Sequence, residues 1–219
     1  MTPADFETFA TLVRQRSGLI VTADKAYLFE SRLTPLLRTW NMTELSQLAE
    51  AVRMRRDEAI MRQITESMTT NESFFFRDNG QYEQLKKTLL PEFLKARATR
   101  KKLRIWSAAC SSGQEAYSLG MLWLENAPLG WSIEILGTDL SAAMVDRARQ
   151  GVYTQFEVQR GLPVTHLMRH FTQVEEGQWQ VSEALRDIAN FQEGNLVAGP
   201  HPAGPFDVIF CRNVLIYFD

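Results

Sequence analysis

From residue 101 onward, short apolar runs alternate with helical stretches, and this alternation limits the possible folds more than any other feature of the chain. The runs that predict strands are "LRIWSAA", "SIEILGTDL" and "FDVIFC". Helices are predicted between them, at about 114–126 and 142–150. Parallel strands need crossover connections of this kind. We therefore predict an α/β fold, with a Rossmann-like parallel sheet at 101–219 that includes a small β-hairpin subdomain at 164–187.

The first seventy residues carry helical periodicity and almost nothing else. One apolar stripe, spaced i, i+3, i+4, i+7, consists of Phe6, Phe9, Ala10 and Val13, and three similar stripes follow before residue 70. Gly18 and Asn41 stand where helices can end, and Asp57 can cap a helix. We predict an all-helical domain at 1–70. Lys25 and Arg32, seven positions apart, share one stripe, which is either a solvated face or a surface for an acidic partner.

A connector segment and linker helix are predicted at 71–100, between the two domains. The connector starts within "TTNESFFFRD", and the helix covers about 79–97 with a bend at Pro91. Burying the apolar surface of each Phe stabilises the fold by roughly 1.5–3 kcal/mol. Three in a row need apolar neighbours on more than one side. The run is therefore predicted to be wedged between two bodies, either as a plain linker or with its polar neighbours at a ligand crevice.

Composition excludes several functions. A net charge of −2 and a pI near 6.0 argue against nucleic-acid binding. No targeting pattern or membrane-length apolar run appears, so we expect no direct membrane insertion. Two cysteines, Cys110 and Cys211, lack disulfide or metal-ligand patterning and fit a reduced, cytoplasmic setting. The three histidines, His166, His170 and His201, follow no catalytic spacing and are interpreted as surface or hairpin residues, so no metal is expected.

The predicted strand ends carry the residues that indicate a ligand site. The first strand leads into "AACSSGQEAYS", where Gly113 is the only glycine, which argues against a pyrophosphate cradle. Glu115, at the start of the next helix, disfavours a phosphate and favours an amino or cationic group. Asp139 ends the second strand, where an acid can bind a ribose diol, although "TDLS" is also a good helix N-cap. These features favour S-adenosylmethionine, a nucleoside with a cationic tail, over a dinucleotide.

Five motifs in order resemble those of the chemotaxis receptor methyltransferases, the CheR type. They are "TTNESFFFRD", "IWSAACSSGQEAYS", "GTDLS", "FQEGNL" and "FDVIFCRNVLIYFD". The resemblance implies a bacterial signal-transduction enzyme that esterifies chemoreceptor glutamates with S-adenosylmethionine and releases S-adenosylhomocysteine, without a metal. The implied partner is the cytoplasmic helical domain of a methyl-accepting chemoreceptor.

The resemblance also implies roles for individual residues. The implied cofactor contacts are Asn71, Ser73, Arg77, Gly113, Glu115, Asp139, Asn195, Leu196, Asn213 and Val214. Arg77 and Tyr217 are expected nearest to the reaction. The Arg77 guanidinium could orient the substrate carboxylate, or it could instead bind the carboxylate of the cofactor's methionine part.

Two departures from the family bear on activity. The chain stops at Asp219, where relatives continue, so the α/β domain is expected to be truncated at its C-terminus and to expose a sheet edge through which chains could associate. The hairpin turn "TQVEEGQW" is short, so no binding of a receptor's C-terminal tether is expected. An interaction protein that binds the cofactor without methyl transfer stays open as an alternative. The absent glycine-rich fingerprint disfavours a nicotinamide-dependent oxidoreductase.

Overall fold

A computed structural model of the protein describes residues 1–55, 57–199 and 203–218, which form two compact units. The first unit contains the described residues up to Thr70 together with 197–199 and 213–218. The second contains 71–196 and 203–212. The change from one unit to the other at residue 70 coincides with the predicted end of the helical domain.

The first unit is a bundle of four helices. They are α1 (Pro3–Ser17), α2 (Tyr27–Thr39), α3 (Leu45–Arg53) and α4 (Glu58–Met68), and the unit also holds the 3₁₀ turns Ala23–Lys25 and Leu215–Tyr217. The predicted apolar stripes face inward, and fully buried members include Phe9, Phe29, Leu33 and Ile64. The unit's core is therefore built by the side chains that carry the 3.6-residue period.

Capping residues set the helix ends, as the sequence predicts. The Thr2 hydroxyl accepts the Asp5 backbone N–H at 3.2 Å and begins α1. Gly18 ends this helix with a φ of 74°, which a side chain would strain. The Asp57 carboxylate accepts the Ala59 backbone N–H at 2.7 Å and begins α4.

The Arg32 side chain has a structural role inside the first unit. Its Nη1 donates to the carbonyl oxygens of Met68 at 2.7 Å and Thr69 at 3.1 Å. These bonds pair carbonyls at the end of α4, where helices leave acceptors unsatisfied. Arg32 is therefore neither part of a solvated face nor available to an acidic partner, because its guanidinium caps another helix.

The second unit combines a parallel sheet with helices on its flanks. In chain order its elements are α5 (Gly80–Gln84), α6 (Leu90–Ala96), β1 (Lys102–Ala108), α7 (Gln114–Asn126), β2 (Ser132–Asp139), α8 (Ala142–Gln150), β3 (Val152–Thr154), α9 (Gln155–Gln159), α10 (Val164–His170), β4 (Phe171–Glu175), β5 (Gln178–Val181), α11 (Glu183–Ile188), β6 (Ala189–Glu193) and β7 (Val208–Cys211). The strand order is β6-β2-β1-β7, and all pairings are parallel. The predicted α/β fold is confirmed.

A π-helical turn, Leu85–Leu89, joins α5 and α6 one turn ahead of Pro91, where the sequence predicts a bent or interrupted helix. Proline has no backbone N–H and its ring crowds the preceding turn, so the α-helical hydrogen-bond pattern changes just before it.

The small subdomain differs from the hairpin predicted at 164–187. The hairpin itself is β4 and β5, and β3 joins it as a third strand in the order β3-β5-β4. Residues at both ends of the predicted range form the helices α10 and α11 instead. Short amphipathic segments of this length take their structure from the tertiary contacts around them, which the sequence pattern does not show.

Among the described residues, β7 pairs only with β1 and is an edge strand, and its Ile209 is 55% exposed. Across the same part of the chain, no helix has the length and apolar character required to cross a membrane.

Candidate functional site

The loop between β1 and α7 has an unusual backbone at the carboxyl end of the parallel sheet. Ala109, Ser111 and Gly113 have φ values of 60°, 50° and 93°. A Cβ on Gly113 would lie 2.9 Å from the Ala148 Cβ, so only glycine fits this close approach. Strained backbone of this kind persists where surrounding contacts fix it, and it concentrates at ligand sites.

The Asp139 carboxylate holds this loop in place. The residue is 7% exposed, and its two oxygens accept the backbone N–H groups of Ser111 at 2.7 Å and Ser141 at 3.0 Å. The N-cap of α8 is Ser141, so Asp139 does not have the N-cap role that the "TDLS" pattern left open. An ionised carboxylate accepts hydrogen bonds on both oxygens, which makes it a suitable acceptor for hydroxyl groups.

Glu115 lies at the start of α7 and forms an ion pair that the sequence analysis did not predict. Its Oε1 accepts the Ser107 hydroxyl at 2.8 Å, and its Oε2 accepts Arg212 Nη1 at 3.1 Å. Burial raises the pKa of the Glu115 carboxyl, and the bonds from Ser107 and Arg212 oppose that rise. The cationic group that Glu115 was predicted to attract is therefore supplied in part by the protein itself.

Arg212 connects three parts of the second unit. Besides Glu115, its guanidinium donates to the Arg77 carbonyl oxygen at 2.6 Å and to Asp78 Oδ2 at 3.0 Å, and it lies over the Tyr82 ring. Its side chain is only 11% exposed, and its Nε is buried with no partner in the described part of the chain. Sequence reasoning missed this residue. A charged side chain directly after the apolar strand "VIFC" was the available signal.

The phenylalanine run packs into the core of the second unit. Phe75 is fully buried and contacts the rings of Tyr153 and Phe171, with centroids 4.9 and 5.5 Å away. The Phe76 ring contacts Tyr82 at 5.3 Å, and its backbone N–H donates to the Ser118 hydroxyl at 3.0 Å. The predicted burial on several sides is present, but these contacts all lie within one body, which corrects the prediction of a wedge between two.

The polar residues of the connector surround this anchor. Arg77 Nη1 donates to the Glu72 carbonyl oxygen at 2.8 Å, and the guanidinium lies 5.4 Å from the Phe74 ring centroid. Arg160 covers the same ring at 4.5 Å and binds the Glu72 carboxylate. The Ser111 hydroxyl donates to the backbone carbonyl oxygen of Asn71 at 2.9 Å. The structure thus brings Asn71 to the loop that Asp139 fixes.

The remaining predicted contacts divide between the two units. Asn195 and Leu196 are half-buried and follow β6, and the preceding Gly194 N–H donates to the Asp139 carbonyl oxygen at 2.9 Å. Three other predicted residues belong to the first unit: Asn213, Val214 and Tyr217. There the Tyr217 carbonyl oxygen accepts the Ile20 N–H at 3.0 Å. Ser73 is half-buried in the connector. The joint action of all these residues stays a prediction.

The groups in the second unit fit S-adenosylmethionine chemically. A buried carboxylate at a strand end suits ribose hydroxyls, and a second carboxylate at a helix start suits an amino group. The Arg77 guanidinium suits a carboxylate. The left-handed backbone positions at Ala109, Ser111 and Gly113 are of the kind that concentrates at ligand sites.

Comparisons with known proteins agree with this chemistry. Residues 71–219 match the model of the CheR methyltransferase, SAM binding domain, and residues 4–69 match its all-alpha domain. Chemotaxis protein methyltransferase 1 of Pseudomonas aeruginosa is 40% identical over 98% of this chain and 80% of its own length. Chemotaxis protein methyltransferase Cher2 of Pseudomonas putida is 37% identical over 98% of this chain and 79% of its own length.

Similarity to solved structures is weaker. The magnesium protoporphyrin IX methyltransferase of Synechocystis, solved with bound SAM, is 18% identical and covers 76% of this chain and 62% of its own, with a TM-score of 0.30. That likeness is too low to support an argument, so the assignment rests on the two family matches and the curated relatives. The chain belongs to the CheR methyltransferase family.

Proposed function

We propose that the protein transfers a methyl group from S-adenosylmethionine to glutamate side chains in the cytoplasmic helical domain of bacterial chemoreceptors. The products are glutamate methyl esters and S-adenosylhomocysteine. The observation that carries this proposal is the buried Asp139 carboxylate, which binds the strained loop after β1 beside Asn71. The relatives from the two Pseudomonas species are named chemotaxis protein methyltransferases, which supports the substrate class.

The cofactor roles follow from the chemistry of each side chain. Asp139 accepts the ribose hydroxyls, and Glu115 with Asn71 receives the amino end. Asn195 and the Leu196 backbone follow the strand next to β2 and are assigned to the adenine edge. The other proposed contacts are Ser73, Gly113, Asn213 and Val214.

The reaction needs little proton transfer. When bound, S-adenosylmethionine supplies an electrophilic methyl group on a cationic sulfur. A glutamate carboxyl with an ordinary pKa of about 4.3 is already ionised at neutral pH, so no general base is required. The protein's task is to align the carboxylate oxygen with that methyl group and to exclude water, which can contribute several kcal/mol.

Arg77 is the proposed positioning group for the substrate carboxylate, and Tyr217 is the second residue proposed to act near the reaction. Three contacts restrict the Arg77 side chain and main chain: its bond to the Glu72 carbonyl oxygen, the Phe74 ring beneath it, and the Arg212 bond to its own carbonyl oxygen. A guanidinium held in this way loses less entropy when it binds a carboxylate.

The function is tested by methyl transfer from tritiated S-adenosylmethionine to receptor-containing membranes. We expect label on the receptor that mild alkali releases as volatile methanol, because esters hydrolyse and N-methyl groups do not. Membranes whose receptor carries alanine at the accepting glutamates are the control. Alkali-stable label would contradict ester formation, and cofactor binding without any label would support the interaction-protein alternative.

The role of Arg77 is tested separately. Arg77→Ala should lower kcat by about 10- to 100-fold, which corresponds to one charge-assisted hydrogen bond of roughly 1.5–3 kcal/mol. Cofactor affinity, measured by calorimetry with S-adenosylhomocysteine, should change little. Arg160→Ala is the matched control, since Arg160 covers the same Phe74 ring. Lost cofactor binding with normal turnover at saturation would instead assign Arg77 to the cofactor's carboxylate.

A further inference from the structure

Two histidines and a glutamate meet in the second unit. All three lie outside the loop between β1 and α7 that Asp139 holds in place. His166 and His170 lie four residues apart on α10 and therefore share one helix face. Glu125, from the last turn of α7, places its Oε1 2.9 Å from His166 Nδ1 and 3.0 Å from His170 Nε2. The side chains are 19%, 20% and 6% exposed for Glu125, His166 and His170.

This cluster corrects the expectation that the histidines are surface or hairpin residues. His170 is buried, His166 is largely covered, and both lie on a helix that precedes the hairpin. The third, His201, lies outside the described residues. The sequence did not indicate the cluster, because its carboxylate is more than forty positions away along the chain.

We propose that Glu125, His166 and His170 bind one divalent transition-metal ion of the zinc class. Two imidazole nitrogens and one carboxylate oxygen form a known three-residue zinc ligand set that leaves a fourth position for water. The three ligand atoms all lie within 4.8 Å of one another. In a tetrahedral site with bonds of about 2.0–2.1 Å, ligand atoms are separated by roughly 3.3 Å, so shifts on the order of 1 Å complete the geometry.

A bound cation would replace the hydrogen bonds within the cluster. His166 Nδ1 and His170 Nε2 both face Glu125 Oε1, and each can bind a metal in the neutral tautomer that carries its hydrogen on the other ring nitrogen. One opposing charge is present, since Arg169 Nη1 lies 3.1 Å from Glu125 Oε1. The Arg169 side chain is 64% exposed, and it can turn into water when an ion enters.

The cluster also touches the connector. The His166 ring stacks on Phe76, with centroids 5.0 Å apart and planes at 23°. Phe76 directly precedes Arg77 in the chain. A bound ion would therefore tie α7, α10 and the connector together, and none of its three ligands is assigned a role in methyl transfer.

The proposal is tested by titrating the chelator-treated full chain with Co²⁺ and Zn²⁺. We expect one ion per chain, the visible absorption of a tetrahedral Co²⁺ complex without strong thiolate bands, and a higher melting temperature. His166→Gln and Glu125→Gln should each weaken binding by at least about tenfold. Arg169→Gln, on the same helix, is the matched control and should bind as well as or better than the original chain.

Two results would overturn the proposal: no saturable binding by the folded chain, or binding that both ligand variants leave unchanged, as expected for an ion on the cysteines. Far-UV circular dichroism and the S-adenosylhomocysteine affinity of His166→Gln should match those of the original chain. Agreement of both would show that lost metal binding is local and not a result of unfolding. Methyl transfer is not needed for this readout, so failure of the metal site and failure of the proposed function are distinguishable.

Discussion

Among the described residues, each unit buries one aspartate, and the two carboxylates have different partners. In the first unit, Asp5 is 2% exposed and accepts hydrogen bonds from the side chains of Thr2, Ser46 and Arg53 at 2.7, 2.8 and 3.3 Å. In the second unit, Asp139 is 7% exposed and accepts bonds from two backbone N–H groups in loops at the ends of strands. Burial alone therefore does not identify a functional carboxylate.

The type and place of the partners distinguish the two roles. Asp5 lies on α1, and its partners come from α3 and from the chain end before α1, so the carboxylate joins two helices. The Asp139 partners fix a strained loop at the carboxyl end of a parallel sheet, where open α/β folds bind ligands. A carboxylate in the first arrangement stabilises packing, and the second arrangement is the one that we propose for binding hydroxyl groups.

The largest expected effect concerns the cores of the two units. Phe29 and Phe75 are both fully buried, one in each unit. Phe29→Ala and Phe75→Ala should each lower the free energy of unfolding by about 3–5 kcal/mol, from lost burial and the cavity left behind. Urea unfolding followed by circular dichroism, together with S-adenosylhomocysteine binding, measures both stability and the site.

These two variants test how separate the units are. If they unfold independently, Phe29→Ala shifts one transition and leaves cofactor binding by the second unit in place, whereas Phe75→Ala shifts the other transition and abolishes binding. A single transition that both variants lower equally would show one cooperative structure instead.

The same substitution at the two aspartates gives the sharpest comparison. Asp139→Asn should weaken S-adenosylhomocysteine binding by about 10- to 100-fold, because an amide accepts hydroxyl groups less strongly than a carboxylate. Asp5→Asn should leave that affinity unchanged and lower the free energy of unfolding by about 2 kcal/mol. Calorimetric titration and urea unfolding of both variants check this. Normal affinity in a folded Asp139→Asn protein would remove Asp139 from the site.

The smallest expected effect is a pH dependence in the first unit. Burial would raise the pKa of Asp5, but the bonds from Thr2, Ser46 and Arg53 outweigh burial and lower this pKa from 3.8 to about 2. The folded state thus binds its proton less readily than the unfolded state. A contribution of about 2 kcal/mol is therefore present above pH 4 and is lost as the pH falls from about 4 to 2.

Unfolding of the original chain and of Asp5→Asn, measured between pH 2 and pH 6, checks this dependence. The difference between the two should shrink toward pH 2, because the original carboxyl is then neutral as well. A difference that stays constant with pH would mean that packing, not charge, explains the role of Asp5.

The sequence predicted the regular elements of the parallel sheet well. Helices α7 and α8 have the bounds that were predicted for them, and Gly113 and Gly151 directly flank them. The Asp139 position was predictable for the same reason, since it follows from a strand end and its spacing from Gly113. Local signals were sufficient wherever an element is long and its ends are marked.

The parts that were missed depend on contacts between distant residues. Arg212 pairs with Glu115 across 97 positions, and His166 pairs with Glu125 across 41. The short strand β3 exists because β5 pairs with it, and its three residues carry no period of their own. Pairs of this kind do not change the local sequence pattern, so a single sequence does not reveal them.

The bonds of Arg212 have a consequence for the order in which the protein forms during synthesis. Arg77, Asp78 and Glu115 leave the ribosome long before Arg212 does, so in the nascent chain Glu115 and Asp78 lack the cation that pairs with them. Arg212, directly after β7, therefore completes the hydrogen bonds that join the connector to α7. A ribosome-stalled chain that ends before residue 212 should therefore lack these bonds, and they should form only after Arg212 has emerged.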